Sequence, residues 1–146
     1  MKNFASVFAA LMLALLFVGC ATGPRYDSVK DTFPPLTADA GRIFIYRDAI
    51  YNPKKTPDIL LNGEAIGKSE AAGFLYIDRP AGEYKIEIAG ESSPPAIFTL
   101  SRGQTLYVRI GLHSNLVINR QYPEVVDDAT GQREIVACKY VGGIQK

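Results

Sequence analysis

The sequence is poor in the residues that most chemistry requires. Its 146 residues hold one histidine, His113, and two cysteines, Cys20 and Cys138. A zinc centre needs several His, Cys, Asp or Glu side chains at ligand spacing, and these three stand at unrelated positions. No metal site and no cofactor are expected. Glu124, Asp127 and Asp128 form the densest acidic group but lack the alternation of a calcium loop, so they read as a solvated turn. No serine sits in a glycine-flanked nucleophile elbow, and the glycines are scattered at turns instead of clustered into a phosphate cradle. Cys138 has no local base to activate it. The chain is therefore expected not to be an enzyme. Charge is equally sparse in meaning: 16 basic residues face 15 acidic ones without a run of either sign. That balance disfavours a nucleic-acid partner, whose binding is driven by phosphate neutralisation.

What is present is concentrated at the amino terminus. "MKNFASVFAALMLALLFVGC" carries one basic residue, Lys2, then an apolar run from Phe4 to Val18 broken only by Ser6. This is the layout of an export signal, too short to span a bilayer that requires about 20 apolar residues. Val18, Gly19 and Cys20 resemble the lipobox of bacterial lipoproteins, with Phe17 standing where leucine is usual. The resemblance implies removal of residues 1–19 and a diacylglyceryl and acyl lipid on Cys20, which anchors the chain to a membrane. A single acyl chain binds a membrane only marginally, so several chains on one cysteine are what make such an anchor stable. Ala21 occupies the position where aspartate would imply inner-membrane retention, so the outer membrane is expected, with the domain facing the periplasm.

Residues 20–40 mix Gly, Pro, Ser, Thr and Asp without apolar periodicity and read as a lipidated tether. Phe33 to Leu36 offers a short apolar clip that would dock on the domain. From Gly41 to Lys146 the texture is that of short β runs, and no stretch shows a long helical stripe. "RIFIYR" is apolar on both faces, as a central strand covered from two sides would be. Asn62-Gly63 is a hairpin signal. Turns are expected at Pro80-Ala81-Gly82 and Ser101-Arg102-Gly103, with Tyr84, Ile86 and Ile88 facing inward and then Leu106, Val108, Ile110 and Leu112 sharing one face. "DDATGQ" reads as a polar turn before a last strand, "REIVACKYV", in which Cys138 would be a buried inert thiol or an intermolecular disulfide partner. Turn signals recurring about every ten residues over some eight strands fit an all-β sandwich or barrel.

The remaining feature is aromatic. Tyr46, Arg47, Tyr51, Lys54 and Lys55 lie at and after the first strand, and Tyr107 and Arg109 share a face of a later one. Tyrosine with arginine is the chemistry of protein interfaces, so these seven residues form a candidate interaction patch. The same rings would equally serve to cap the core with their hydroxyls wet, and Tyr122 and Tyr140 belong to the same question.

The order "GRIFIYR", "ILLNGEAIGKS", "GFLYIDRPAGEYKIEI" and "LSRGQTLYVRI" resembles a bacterial lipoprotein family with a domain of unknown function, and also PEGA-type and carboxypeptidase-regulatory-like sandwiches. The resemblance implies one prealbumin-like β-sandwich of about seven to eight antiparallel strands, without catalytic residues. The expected role is a membrane-anchored module that binds an envelope protein, or alternatively a glycan such as peptidoglycan.

Overall fold

The computed structural model describes residues 21–48, 55–115 and 119–143. Among these described residues nine strands form two sheets: β1 (Ala40–Arg47), β2 (Asp58–Leu61), β3 (Glu64–Lys68), β4 (Gly73–Pro80), β5 (Gly82–Ile88), β6 (Ala96–Leu100), β7 (Thr105–Ser114), β8 (Asn119–Val126) and β9 (Lys139–Tyr140). A five-stranded sheet runs β8-β7-β1-β4-β9, and a four-stranded sheet runs β3-β2-β5-β6. The architecture is the all-β sandwich expected.

Between the sheets lies an aliphatic core. Ile43, Ile45, Leu75, Ile77, Leu106, Val108 and Ile110 come from one sheet, and Ile59, Leu61, Ile66, Ile86, Ile88 and Leu100 from the other. They follow from period-two alternation, and burying each large aliphatic side chain contributes about 1.5–3 kcal/mol. Asn62 and Gly63 adopt φ of 51° and 87° between β2 and β3, which makes the hairpin turn predicted from that pair. The turns at Pro80-Ala81-Gly82 and Ser101-Arg102-Gly103 also form, but each carries the chain from one sheet to the other, because β4 and β7 belong to the five-stranded sheet and β5 and β6 to its partner.

Those crossings place β7 parallel to β1, with Arg42 opposite Thr105 and Arg47 opposite Ile110. The short β9 is parallel to β4. An entirely antiparallel sandwich was expected, and this mixed pairing corrects it. Local alternation reports which face of a strand is buried, and it is blind to the direction of the neighbour.

The outer face of the five-stranded sheet is covered as well. Phe44, Tyr46, Phe74, Tyr76 and Tyr107 form a second, aromatic layer. Two irregular pieces close it. The first is the segment expected to be a tether. It enters at Ala21, 1% exposed, whose N–H donates to Ala71 O. It then forms a one-turn helix α1 (Tyr26–Val29) and a 3-10 turn (Lys30–Thr32). The Phe33 ring rests 4.4 Å from that of Tyr76, and Arg42 clamps the segment by donating to Pro34 O at 2.6 Å and to Asp78 at 2.7 Å. The apolar clip at Phe33 therefore docks, and residues 21–40 lie on the domain.

The second piece is α2 (Asp128–Ile135), which replaces the turn and most of the last strand expected in "DDATGQREIVACKYV". Asp127 caps it, accepting from the N–H and hydroxyl of Thr130 at 2.9 and 2.8 Å. That cap supplies the start signal that the valines and isoleucine obscured. Gly131 lets the helix lie on the Tyr107 ring, since a Cβ there would come within 2.2 Å of it. Of the residues expected to share a strand face, Val136 is exposed at the helix end and Cys138 is buried.

Candidate functional site

The seven residues of the expected patch do not form an exposed surface. Tyr46, Arg47 and Tyr107 are 2%, 1% and 4% exposed. Tyr46 and Tyr107 lie on the sheet face that α1, Phe33 and α2 cover, whereas Arg47 follows Ile43 and Ile45 onto the inner face, which corrects the placement of all three in an exposed patch. Tyr51 and Lys54 lie outside the described residues. The Tyr46 hydroxyl donates to Glu134 Oε2 at 2.7 Å, and burial, with this bond second, raises its pKa well above the ordinary tyrosine value. Burial does the same for Tyr107, helped by its neighbour Tyr26. Arg47 donates through Nη1 to Lys55 O and Ser69 O, both at 2.8 Å, and burial lowers its pKa. Arg109 is half-buried and donates to Glu124 at 2.8 Å and to Glu134 at 3.1 Å. The bond to Glu124 is the main reason its pKa rises. Lys55 is exposed and pairs with Glu91. These groups hold α2 and the start of β2 in place, the structural role that a ring capping the core would have.

The same end of the sandwich carries a buried polar knot. Ser69 donates its hydroxyl to Gln121 Oε1, and Gln121 Nε2 donates to Lys55 O at 3.1 Å. Ser69 and Gln121 are each 1% exposed, so their mutual bonding removes the cost of burying unsatisfied polar groups. Neither residue stood out in the sequence, because each partner is more than 50 positions away from the other.

Above this knot opens a groove of about 350 Å³ lined by Ser93, Pro94, His113, Arg120 and Tyr122. His113 and Arg120 are cross-strand partners at the tip of the β7–β8 hairpin, and Tyr122 lies opposite Gly111, which leaves room for its ring. Ser93 lines the groove beside His113, but its hydroxyl donates to Gln121 O at 2.8 Å. Among the described residues no carboxylate pairs with Arg120 in an ion pair. The arrangement presents a cation, an imidazole and one aromatic ring to a small anionic or amphipathic group. A smaller groove of about 270 Å³ lies at the other end, lined by Leu61, Asn62, Glu64, Ile66, Arg79 and Tyr84.

Cys138 is the free cysteine among the described residues, 2% exposed, with its Sγ 3.7 Å from Arg47 O. Burial pushes its pKa up to about 12, which keeps it a neutral thiol. Cys20 lies outside the described residues, among which no three His, Cys, Asp or Glu side chains converge.

The outer face of the four-stranded sheet carries Ile97 on β6, 71% exposed, and among the described strands β6 pairs only with β5.

Residues 37–120 match the protein family described as "Protein of unknown function (DUF2846)". The chain is also similar to an uncharacterized protein of Haemophilus influenzae, 26% identical over 129 residues that cover 84% of this chain and 76% of that protein. No solved structure matches.

Proposed function

Because the chain belongs to the DUF2846 family, whose description assigns no activity, we propose from its own residues that it is an outer-membrane lipoprotein. Cys20 carries the lipid, and the β-sandwich faces the periplasm as a non-catalytic module that binds an envelope protein. The anchor is supported by the apolar run ending at Val18-Gly19-Cys20, and by Ala21 lying immediately inside the fold. The observation that carries the binding role is Ile97. A large aliphatic side chain, 71% exposed beside Lys85 on a strand that among the described strands pairs on one side only, offers an apolar point with polar neighbours that a protein partner would cover.

A photo-crosslinking residue at Ile97 tests this in cells. The reading predicts one discrete adduct with an envelope protein, absent when the crosslinker sits at Glu64 instead. Identical adduct patterns at both positions would sink it. A glycan partner would need a second ring opposite Tyr122, and co-sedimentation with purified cell-wall material decides that reading.

A further inference from the structure

The place where the chain enters the fold fixes which end of the sandwich meets a membrane. The Ala21 N–H is tied to Ala71 O, in the connection leading into β4. The residue before Ala21 is Cys20, so a lipid on that cysteine has no spacer and begins within one residue, about 3.5 Å, of a buried backbone position.

Strand directions identify what else lies at that end. Phe74, near the start of β4, pairs with Tyr46 near the end of β1, and β1 runs parallel to β7. β7 therefore points toward the anchor. It continues past the level of Arg47, which pairs with Ile110, and its tip residues His113 and Ser114 pair with Arg120 and Asn119. At roughly 3.4 Å per residue, the tip projects on the order of 10 Å beyond the end of β1. The groove of Ser93, Pro94, His113, Arg120 and Tyr122 is thus on the anchor side. It is three strand spacings from β4, about 15 Å.

The opposite end differs in charge. Asp39, Glu64, Glu83, Asp127 and Asp128 gather there with Arg79 and Arg102, an excess of acid that a phosphate-rich surface would repel. On the anchor side Lys55 and Lys68 pair with Glu91 and Asp58, the acids Asp48 and Glu70 stand with Arg47 and Lys139, and Arg120 faces the groove. Tyr122 supplies an amphipathic ring, suited to the boundary between water and acyl chains.

We propose that the anchor end of the sandwich lies against the headgroup layer, and that the Arg120–His113–Tyr122 groove takes the phosphate of a phospholipid headgroup. This rests on lipidation of Cys20. Arg120 donates hydrogen bonds to the phosphate oxygens, with His113 beside it and the Tyr122 ring against the glycerol and upper acyl carbons. The domain then stands on the membrane by two contacts, one covalent and one electrostatic.

The test uses the full chain, lipidated in cells and reconstituted in vesicles of phosphatidylethanolamine and phosphatidylglycerol. Palmitate incorporation is measured on the same material. A fluorophore is placed on Ser114→Cys at the hairpin tip or on Glu64→Cys at the far end, both exposed sites. Iodide in the aqueous phase should quench the label at 114 several-fold less than the label at 64. Arg120→Glu should remove most of that protection while leaving palmitate incorporation and the far-UV spectrum unchanged. Equal quenching at the two sites on a palmitate-bearing chain overturns this inference alone. Protection that survives Arg120→Glu overturns the phosphate contact, and a chain without palmitate overturns the lipoprotein reading together with this one.

Discussion

The two faces of the five-stranded sheet are closed by different means. The inner face meets another sheet through isoleucine, leucine and valine. The outer face meets a docked amino-terminal segment and one two-turn helix, through phenylalanine and tyrosine, with the Tyr46 hydroxyl and the Tyr76 ring face meeting charged partners. An aliphatic layer between two sheets is cohesive wherever its strands alternate. An aromatic layer under irregular chain depends on a few directional contacts, such as Tyr46 to Glu134 and Arg42 to Pro34 and Asp78. The outer layer should therefore loosen first, as a local opening of lower free energy than global unfolding.

Cutting into the inner layer should have the largest effect. Ile43→Ala removes a fully buried side chain and should cost about 2–5 kcal/mol, measured by urea unfolding, with the whole domain affected. Phe33→Ala should cost less, about 1–3 kcal/mol, because the ring is only half-buried at the edge of its layer. Hydrogen exchange should then accelerate in residues 21–36 and in α2 while β1 and β7 stay protected. Uniform acceleration would erase the distinction between the layers.

Tyr46→Phe keeps the ring and deletes only the bond to Glu134, so about 1–2 kcal/mol should be lost, with Arg109 still holding the carboxylate. The smallest effect belongs to the exposed cap of α2. Hydrogen bonds from Thr130 hold the Asp127 carboxyl below its ordinary value of 3.8. Its contribution is full above that value and is lost as pH falls through the depressed one. Asp127→Ala should lower the thermal midpoint slightly at neutral pH and flatten the acid limb of the helical signal, whereas an unchanged acid limb would deny the cap a role.

The inner layer was readable in the sequence because alternation is a local property: Ile43 and Ile45, or Leu106, Val108 and Ile110, announce their face without knowledge of a partner. The two-sided burial of "RIFIYR" was readable for the same reason. What covered its second side was not. Phe33, α1 and α2 show no extended periodicity, and Asp127-x-x-Thr130 lay in a stretch whose Ile135, Val136 and Cys138 also suit a strand. Consequently Tyr46 and Tyr107 were placed in an exposed patch when only their cover was unrecognised, and Arg47 was placed with them although alternation with Ile43 and Ile45 puts it on the inner face. The groove depended on longer pairings still. His113 meets Arg120 across a hairpin, and Ser93 reaches Gln121 from a connection between other strands.

The comparison of layers also gives the docked segment its meaning, since the cover of the aromatic face starts one residue after Cys20. The most direct measurement is labelled-palmitate incorporation into wild type and Cys20→Ala, followed by membrane fractionation. The account predicts label and outer-membrane association in the wild type and loss of both in the variant. Label retained by Cys20→Ala, or a wild type found unlabelled in the soluble periplasmic fraction, would contradict it.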